Sequence, residues 1–144
     1  MESQLVEVRE TALGKALFAT TAIATGEEIG VVSGKIIHDP NYGSAYCIAL
    51  NEHTSIEPAA PFRFLNHSCE PNCELVIWEY EDSLETQLAV HALAPIAAGS
   101  ELTIDYAWPA DAAINCLCGK SKCRGWIVDV AELQHLPQAG QLAL

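Results

Sequence analysis

The stretch "RFLNHSCEPNCEL", residues 63–75, interrupts the regular patterns on either side of it. Asn66, Ser68, Pro71 and Asn72 favour turns over ladders, and two cysteines, Cys69 and Cys73, sit beside the same tight loop, where a thiol can reach a metal. A second concentration of thiols lies in "INCLCGKSKCRGW", residues 114–126, where Cys116, Cys118 and Cys123 follow a C-x-C-x4-C spacing. Disulfides suit such a cluster poorly: cysteines one residue apart close a strained ring, and the third is left over. Zinc suits it well, because thiolates at about 2.3 Å in a closed tetrahedral site are its usual structural arrangement. Three ligands are present and a fourth is required. The residues alone leave Cys69, Cys73, His67 and His91 open for that place, while Cys47 falls in an apolar strand pattern and reads as core.

The rest of the chain bounds the answer. Its 144 residues suit one domain with one core. Half of them are apolar and 18% are charged, which argues against extensive disorder. The formal net charge of −12 opposes a surface built for nucleic-acid phosphates and favours cationic partners. The start, "MESQLVEVRE", lacks the basic and apolar regions of a signal peptide, and no apolar run is long enough to cross a bilayer. The expectation is an intracellular protein, cytoplasmic or, in a eukaryote, nuclear, without membrane contact. In a reducing compartment six cysteines read as thiols or metal ligands.

Short β-like runs recur between Gly, Pro, Asn and Asp clusters: "QLVEVRE", "EEIGVVSGKII", "SAYCIAL", "CELVIWEY", "TQLAVHAL" and "ELTIDYAW". They predict several small sheets, not a βαβ array. The best helical segment, "VAELQHL", spans barely two turns before Pro137, and "PQAGQLAL" is expected to fray. "TTAIATGEEI" and "LAPIAAGSEL" share a shape and read as turns between strands, not as a repeat. No G-x-G occurs, so neither a Rossmann loop nor a P-loop is available.

Three motifs in order, "FRFLNHSCEPN" at 62–72, "ELTIDYAW" at 101–108 and "CLCGKSKCRGWI" at 116–127, resemble the SET-domain lysine methyltransferases with a post-SET zinc tail. "GKALFATTAIATGEEI" resembles the family's opening glycine motif less sharply, so the likeness covers nearly the whole chain; nothing in it resembles a pre-SET region. The resemblance implies a mainly β SET fold of several small sheets with a pseudoknot, formed by residues 1–110, then a post-SET zinc-binding segment at 111–130 and a C-terminal tail at 131–144. It assigns Cys69 as the fourth ligand beside Cys116, Cys118 and Cys123, leaving Cys73 as a structural thiol.

The family transfers a methyl group from S-adenosyl-L-methionine to a lysine ε-amine of a protein, and the resemblance gives each matching residue a role. Tyr106 matches the catalytic tyrosine. Arg63, Phe64, Asn66 and His67 match cofactor-binding positions, Trp126 the residue packed on the adenine, and Gly14, Lys15, Ala16 and Leu17 the loop at the cofactor's amino-acid end. Ala16 departs from the usual G-x-G. In "VVSGKII" only Gly34 matches the family's Y-x-G-E, with Val32 at the tyrosine position and Lys35 at the glutamate, so the substrate channel of Val32, Ile104 and Tyr106 loses one hydroxyl. Ile104 stands where Phe or Tyr limits the number of methyl groups, which leaves room for di- or trimethylation. The expected substrate is a basic protein or peptide carrying a lysine, with a second copy of the chain as an allowed groove partner and no direct contact with nucleic acid. The alternative is a catalytically weak SET-like module that binds a lysine-bearing peptide or the cofactor, favoured by Ala16, Val32 and Lys35.

Overall fold

Thr11 begins the first hairpin. Its hydroxyl donates to the Gly14 carbonyl at 2.7 Å and accepts from the Leu13 N–H, turning β1 (Val6–Thr11) into β2 (Gly14–Ala19) through two residues. The computed structural model describes residues 5–44, 46–50, 53–79, 86–108 and 110–136. β3 (Glu28–Val31), β8 (Cys73–Glu79) and β9 (Thr86–Ala92) form an antiparallel sheet in the order β3-β9-β8. β4 (Gly34–Ile37), β5 (Ile48–Ala49) and β6 (Ser55–Pro58) form another in the order β4-β6-β5. The remaining pairs are short: β7 (Asn66–His67) runs parallel to β10 (Thr103–Ile104), and β11 (Ile114–Asn115) antiparallel to β12 (Trp126–Ile127).

Between the sheets lies one core, to which Leu17, Ile23, Ile29, Phe62, Val90, Ile96 and Leu102 contribute. The expected mainly β architecture of small sheets is what forms. The two segments of similar shape meet each other: Ile23 and Ile96 exchange N–H···O bonds of 2.9 Å, so each turn supports the other. The two motifs that the resemblance threads together lie side by side in β7–β10. Asn72 reinforces this contact by donating to the Glu101 carbonyl at 2.8 Å and accepting from the Thr103 N–H at 2.9 Å.

Three predicted elements are shorter than expected. In "SAYCIAL" the Ser44 hydroxyl accepts from the N–H groups of Tyr46 and Cys47, a local turn that outcompetes the strand until Ile48. Cys47 is therefore half-buried and not core. In "ELTIDYAW" pairing stops at Ile104 because the Asp105 carboxylate accepts from the Ala107 N–H at 2.9 Å, with Ala107 at φ 50°. "VAELQHL" forms only a 3-10 turn over Val130–His135, capped by Asp129, whose side chain accepts from the Ala131 N–H. Pro137 and the segment beyond it lie outside the described residues. No described helix is long and apolar enough to cross a membrane.

Gly34 has a steric cause. A Cβ there would lie 2.2 Å from the Glu57 carbonyl oxygen on the neighbouring strand. Gly34→Ala is expected to destabilise the fold by about 3 kcal/mol, seen as a fall in Tm of roughly 10 °C; a Tm within about 2 °C of the parent's would refute this account of the β4–β6 contact.

Candidate active site and metal centre

Four sulfurs converge where the tail meets the 63–75 stretch. The Sγ atoms of Cys69, Cys116, Cys118 and Cys123 all lie within 4.8 Å of one another. Cys69 and Cys116 are 3.8 Å apart, too far for a disulfide, whereas a zinc tetrahedron with bonds of about 2.3 Å spaces its sulfurs by about 3.8 Å. The donor set therefore fits zinc. Backbone geometry shapes the knuckle: Gly125 sits at φ 82°, its carbonyl accepts from the Cys116 N–H, and its own N–H donates to Cys123 Sγ. Burial raises the Cys69 and Cys116 thiols and also opposes ionisation of Cys118, but N–H groups of Cys69 and Lys120 together with the neighbouring thiols lower Cys118. Cys73 is different: burial pushes it up to about 11, keeping it a neutral core thiol.

The 63–75 stretch also leads to the aromatic end of a cavity of about 850 Å³, whose wall includes Tyr42, Tyr46, Leu65, Ile104, Tyr106 and Trp108. The Tyr106 hydroxyl donates to the Leu65 carbonyl at 2.6 Å. Its ring meets His67 edge-on at 5.5 Å and lies 5.2 Å from Trp108. Burial first, then the nearby Tyr46 and Glu101, push the Tyr106 phenol up to about 12. Burial likewise lowers His67, outweighing the raising effect of Asp105, so the imidazole is neutral near pH 7.

The profile of the SET domain matches residues 14–107. The chain belongs to the SET-domain family. An Aspergillus fumigatus "Histone-lysine N-methyltransferase, H3 lysine-4 specific" is 37% identical over 92 residues, covering 59% of this chain and 7% of that protein. A Caenorhabditis elegans histone-lysine N-methyltransferase is 32% identical over 130 residues, covering 79% of this chain and 8% of that protein. The SET chain thus spans under a tenth of the length of these relatives. Among solved structures, KRYPTONITE in complex with mCHG DNA and SAH superposes with a TM-score of 0.76 at 23% identity, over 88% of this chain and 30% of that one.

On this SET scaffold the opening glycine loop and the 63–75 stretch come together. Asn66 Nδ2 donates to Glu101 Oε2 at 3.1 Å and lies 3.4 Å from the Lys15 carbonyl, and Lys15 Nζ stands 5.4 Å from the Phe64 ring centroid. Gly14 sits at φ 113° with nothing within 4 Å of where a Cβ would be, so its backbone conformation and not crowding favours glycine there. Ala16 is 1% exposed and lies on the face of β2 opposite Leu17. Leu17 is core at 0% exposed, so its side chain faces the interior. Trp126 is buried opposite Asn115 in the β11–β12 pair.

One expected channel residue stands elsewhere. Val32 is buried in the hydrophobic core and does not line the cavity, whereas Ile104 does, beside Tyr106. Arg63 turns to the cavity wall, donating to Glu57 at 2.8 Å and stacking on Tyr46 with its Cζ 4.0 Å from the ring centroid. Sequence reasoning missed what organises that wall. Glu57 accepts from Ser44 at 2.6 Å, Tyr42 at 2.8 Å and Arg63, three residues with no periodic relation, and holds Tyr42 and Ser44 against β6. The hydrogen bonds from Ser44 and Tyr42, with the Arg63 charge, lower the Glu57 carboxyl despite its burial. A depressed acid stabilises the fold above its unfolded value of 4.5 and loses that contribution as pH falls through the folded value. Glu57→Gln is therefore expected to cost about 2 kcal/mol at neutral pH and to flatten the acid side of the stability curve; denaturation at pH 7 and pH 4 checks it.

Proposed function

We propose that this chain is an S-adenosyl-L-methionine-dependent methyltransferase acting on the ε-amine of a lysine in a protein or peptide. The observation that carries the reading is the Tyr106 phenol, bonded to the Leu65 carbonyl and lining the cavity beside Ile104. Supporting it are the named activities of the relatives and the SAH and H3(1-15) peptide present in a solved KRYPTONITE structure, which superposes with a TM-score of 0.73. When bound, S-adenosyl-L-methionine supplies a methyl group on a positively charged sulfur.

The chain's own residues do the rest. Lysine must lose its proton before it can attack, and its ordinary pKa is about 10.4; the apolar Leu65, Ile104 and Trp108 surfaces disfavour the charged form. Because the Tyr106 proton is committed to Leu65, the phenol oxygen is left as an acceptor that can hold an amine N–H and fix the direction of its lone pair. Ile104 offers no hydroxyl to restrain a methylated amine, consistent with addition of two or three methyl groups. Gly14, Lys15, Ala16, Leu17, Arg63, Phe64, Asn66, His67 and Trp126 form the cofactor side of the proposal, with Ala16, Leu17 and His67 contributing backbone groups only, so that the His67 side chain is free of the cofactor. Residues 1–110 act as the SET domain, 111–130 as the zinc segment and 131–144 as a tail. The net charge of −12 favours a basic substrate inside the cell, a histone among the candidates, over nucleic acid.

The test is methyl transfer from radiolabelled S-adenosyl-L-methionine to basic protein mixtures by the zinc-loaded chain, with product masses read at each labelled lysine. Labelled lysines, some carrying more than one methyl, are expected. A zinc-loaded chain that binds the cofactor yet labels nothing would instead favour the lysine-binding module.

A further inference from the structure

We propose that His67 is a positioning residue: its ring bridges the zinc cluster to Tyr106, so that metal binding in the tail sets the position of the backbone carrying the phenol. The inference rests on reading Tyr106 as the group beside the substrate amine. The imidazole side chain is 2% exposed, and both its nitrogens are engaged. The Tyr106 N–H donates to Nδ1 at 3.0 Å. A ring nitrogen that accepts carries no proton, so the proton resides on Nε2, which lies 3.5 Å from Cys69 Sγ and donates to it. From ligand sulfur to tyrosine amide the path is one rigid ring with no rotatable bond between its two contacts.

The Tyr106 backbone needs such a partner. The β10 ladder ends at Ile104, whose carbonyl accepts from the Ser68 N–H at 3.0 Å, and Ala107 has already left the extended region at φ 50°. Between them the His67 ring takes the place of a strand neighbour. A second tie runs beside it: the Arg124 N–H donates to the same Cys69 sulfur at 3.3 Å, while the Arg124 guanidinium holds both Asp105 oxygens at 3.1 and 2.7 Å. Residues 105 and 106 are thus both anchored to one zinc ligand. Zinc stiffens Cys69, and the two ties transmit that stiffness to the phenol, as outer partners of metal ligands do when they orient them.

Two half-substitutions separate the ends of the bridge. His67→Asn keeps an acceptor near the Nδ1 position and loses the donor to Cys69; His67→Gln reaches the Nε2 position with an amide donor and loses the near acceptor. In the full zinc-loaded chain, site-resolved amide exchange at Tyr106 and zinc affinity by chelator competition are measured for each. His67→Gln is expected to speed Tyr106 amide exchange and lower kcat about 10- to 100-fold with cofactor KM and zinc affinity retained; His67→Asn is expected to weaken zinc by about the same factor. Equal behaviour of the two variants, or an unchanged Tyr106 amide in His67→Gln, overturns the bridge.

The parent chain gives an independent check if a variant fails to fold. On zinc removal the Tyr106 amide should lose protection before that of Leu102, which donates to the Leu17 carbonyl in the core; simultaneous loss, or none, overturns the proposal. Neither exchange nor zinc affinity depends on turnover. A parent chain that transfers no methyl group defeats the enzymatic reading alone, and these two measurements still decide the bridge.

Discussion

Tyr106→Phe is expected to lower kcat for methyl transfer by about 100- to 1000-fold, the loss typical of one preorganised hydrogen-bonding group at a reacting centre. The ring remains, so the contacts with His67 and Trp108 persist and cofactor binding changes little. What disappears is the oxygen proposed to orient the amine. The Leu65 carbonyl also loses its donor, with a stability cost of about 1–3 kcal/mol for an unpaired buried acceptor. The pH dependence separates this role from that of a general base. An acid whose pKa is raised to about 12 stays protonated across the working range, so ionisation of the phenol contributes no rising limb below about pH 11. The rise with pH is then the substrate lysine's, and it should persist in the Phe variant at its reduced amplitude. A variant with parental kcat, or one that abolishes the rise while leaving residual turnover, would remove Tyr106 from the role assigned to it.

The residues also explain how far the sequence could be read. Strands whose apolar positions face one core, such as β8 and β9, were legible from composition and turn signals. The zinc trio was legible because C-x-C-x4-C admits few other chemistries. Elsewhere side chains overruled strand propensity locally: Ser44 bends the chain through its hydroxyl and Asp105 through its carboxylate, ending runs that looked continuous. Val32 occupies the position of a channel tyrosine in the motif yet packs into the core beside β3, where burial of its aliphatic side chain is favourable. Long-range pairings were the least visible. The contact of Asn66 with Thr103, the convergence on Glu57 and the engagement of both His67 nitrogens join residues with no shared period, so only a family likeness or the folded chain could bring them together.

Cys69→Ala and Cys73→Ala, separated by only four positions, are expected to give opposite results for zinc. The four-sulfur geometry includes Cys69 and excludes Cys73, whose thiol burial raises to about 11. Metal analysis of Cys73→Ala after dialysis should still find one zinc per chain, with a modest loss of stability from the small void left in the core. Cys69→Ala should lose the ion under the same dialysis, because three thiolates leave a coordination position open to water and competitor. Structural zinc contributes on the order of 10 kcal/mol of apparent binding energy, and the paired elements of the tail are brief, β11 and β12 having two residues each. Without the metal the 116–127 segment has little else to hold it, so its amides should exchange rapidly while the β8–β9 pair, seven residues long on each side, remains protected. The same loss releases the Arg124 N–H from its sulfur acceptor and loosens Asp105 beside the phenol, so methyl transfer should fall in Cys69→Ala and not in Cys73→Ala. Zinc retained by Cys69→Ala would assign the fourth ligand elsewhere; retained activity without zinc would confine the metal to a structural role remote from Tyr106.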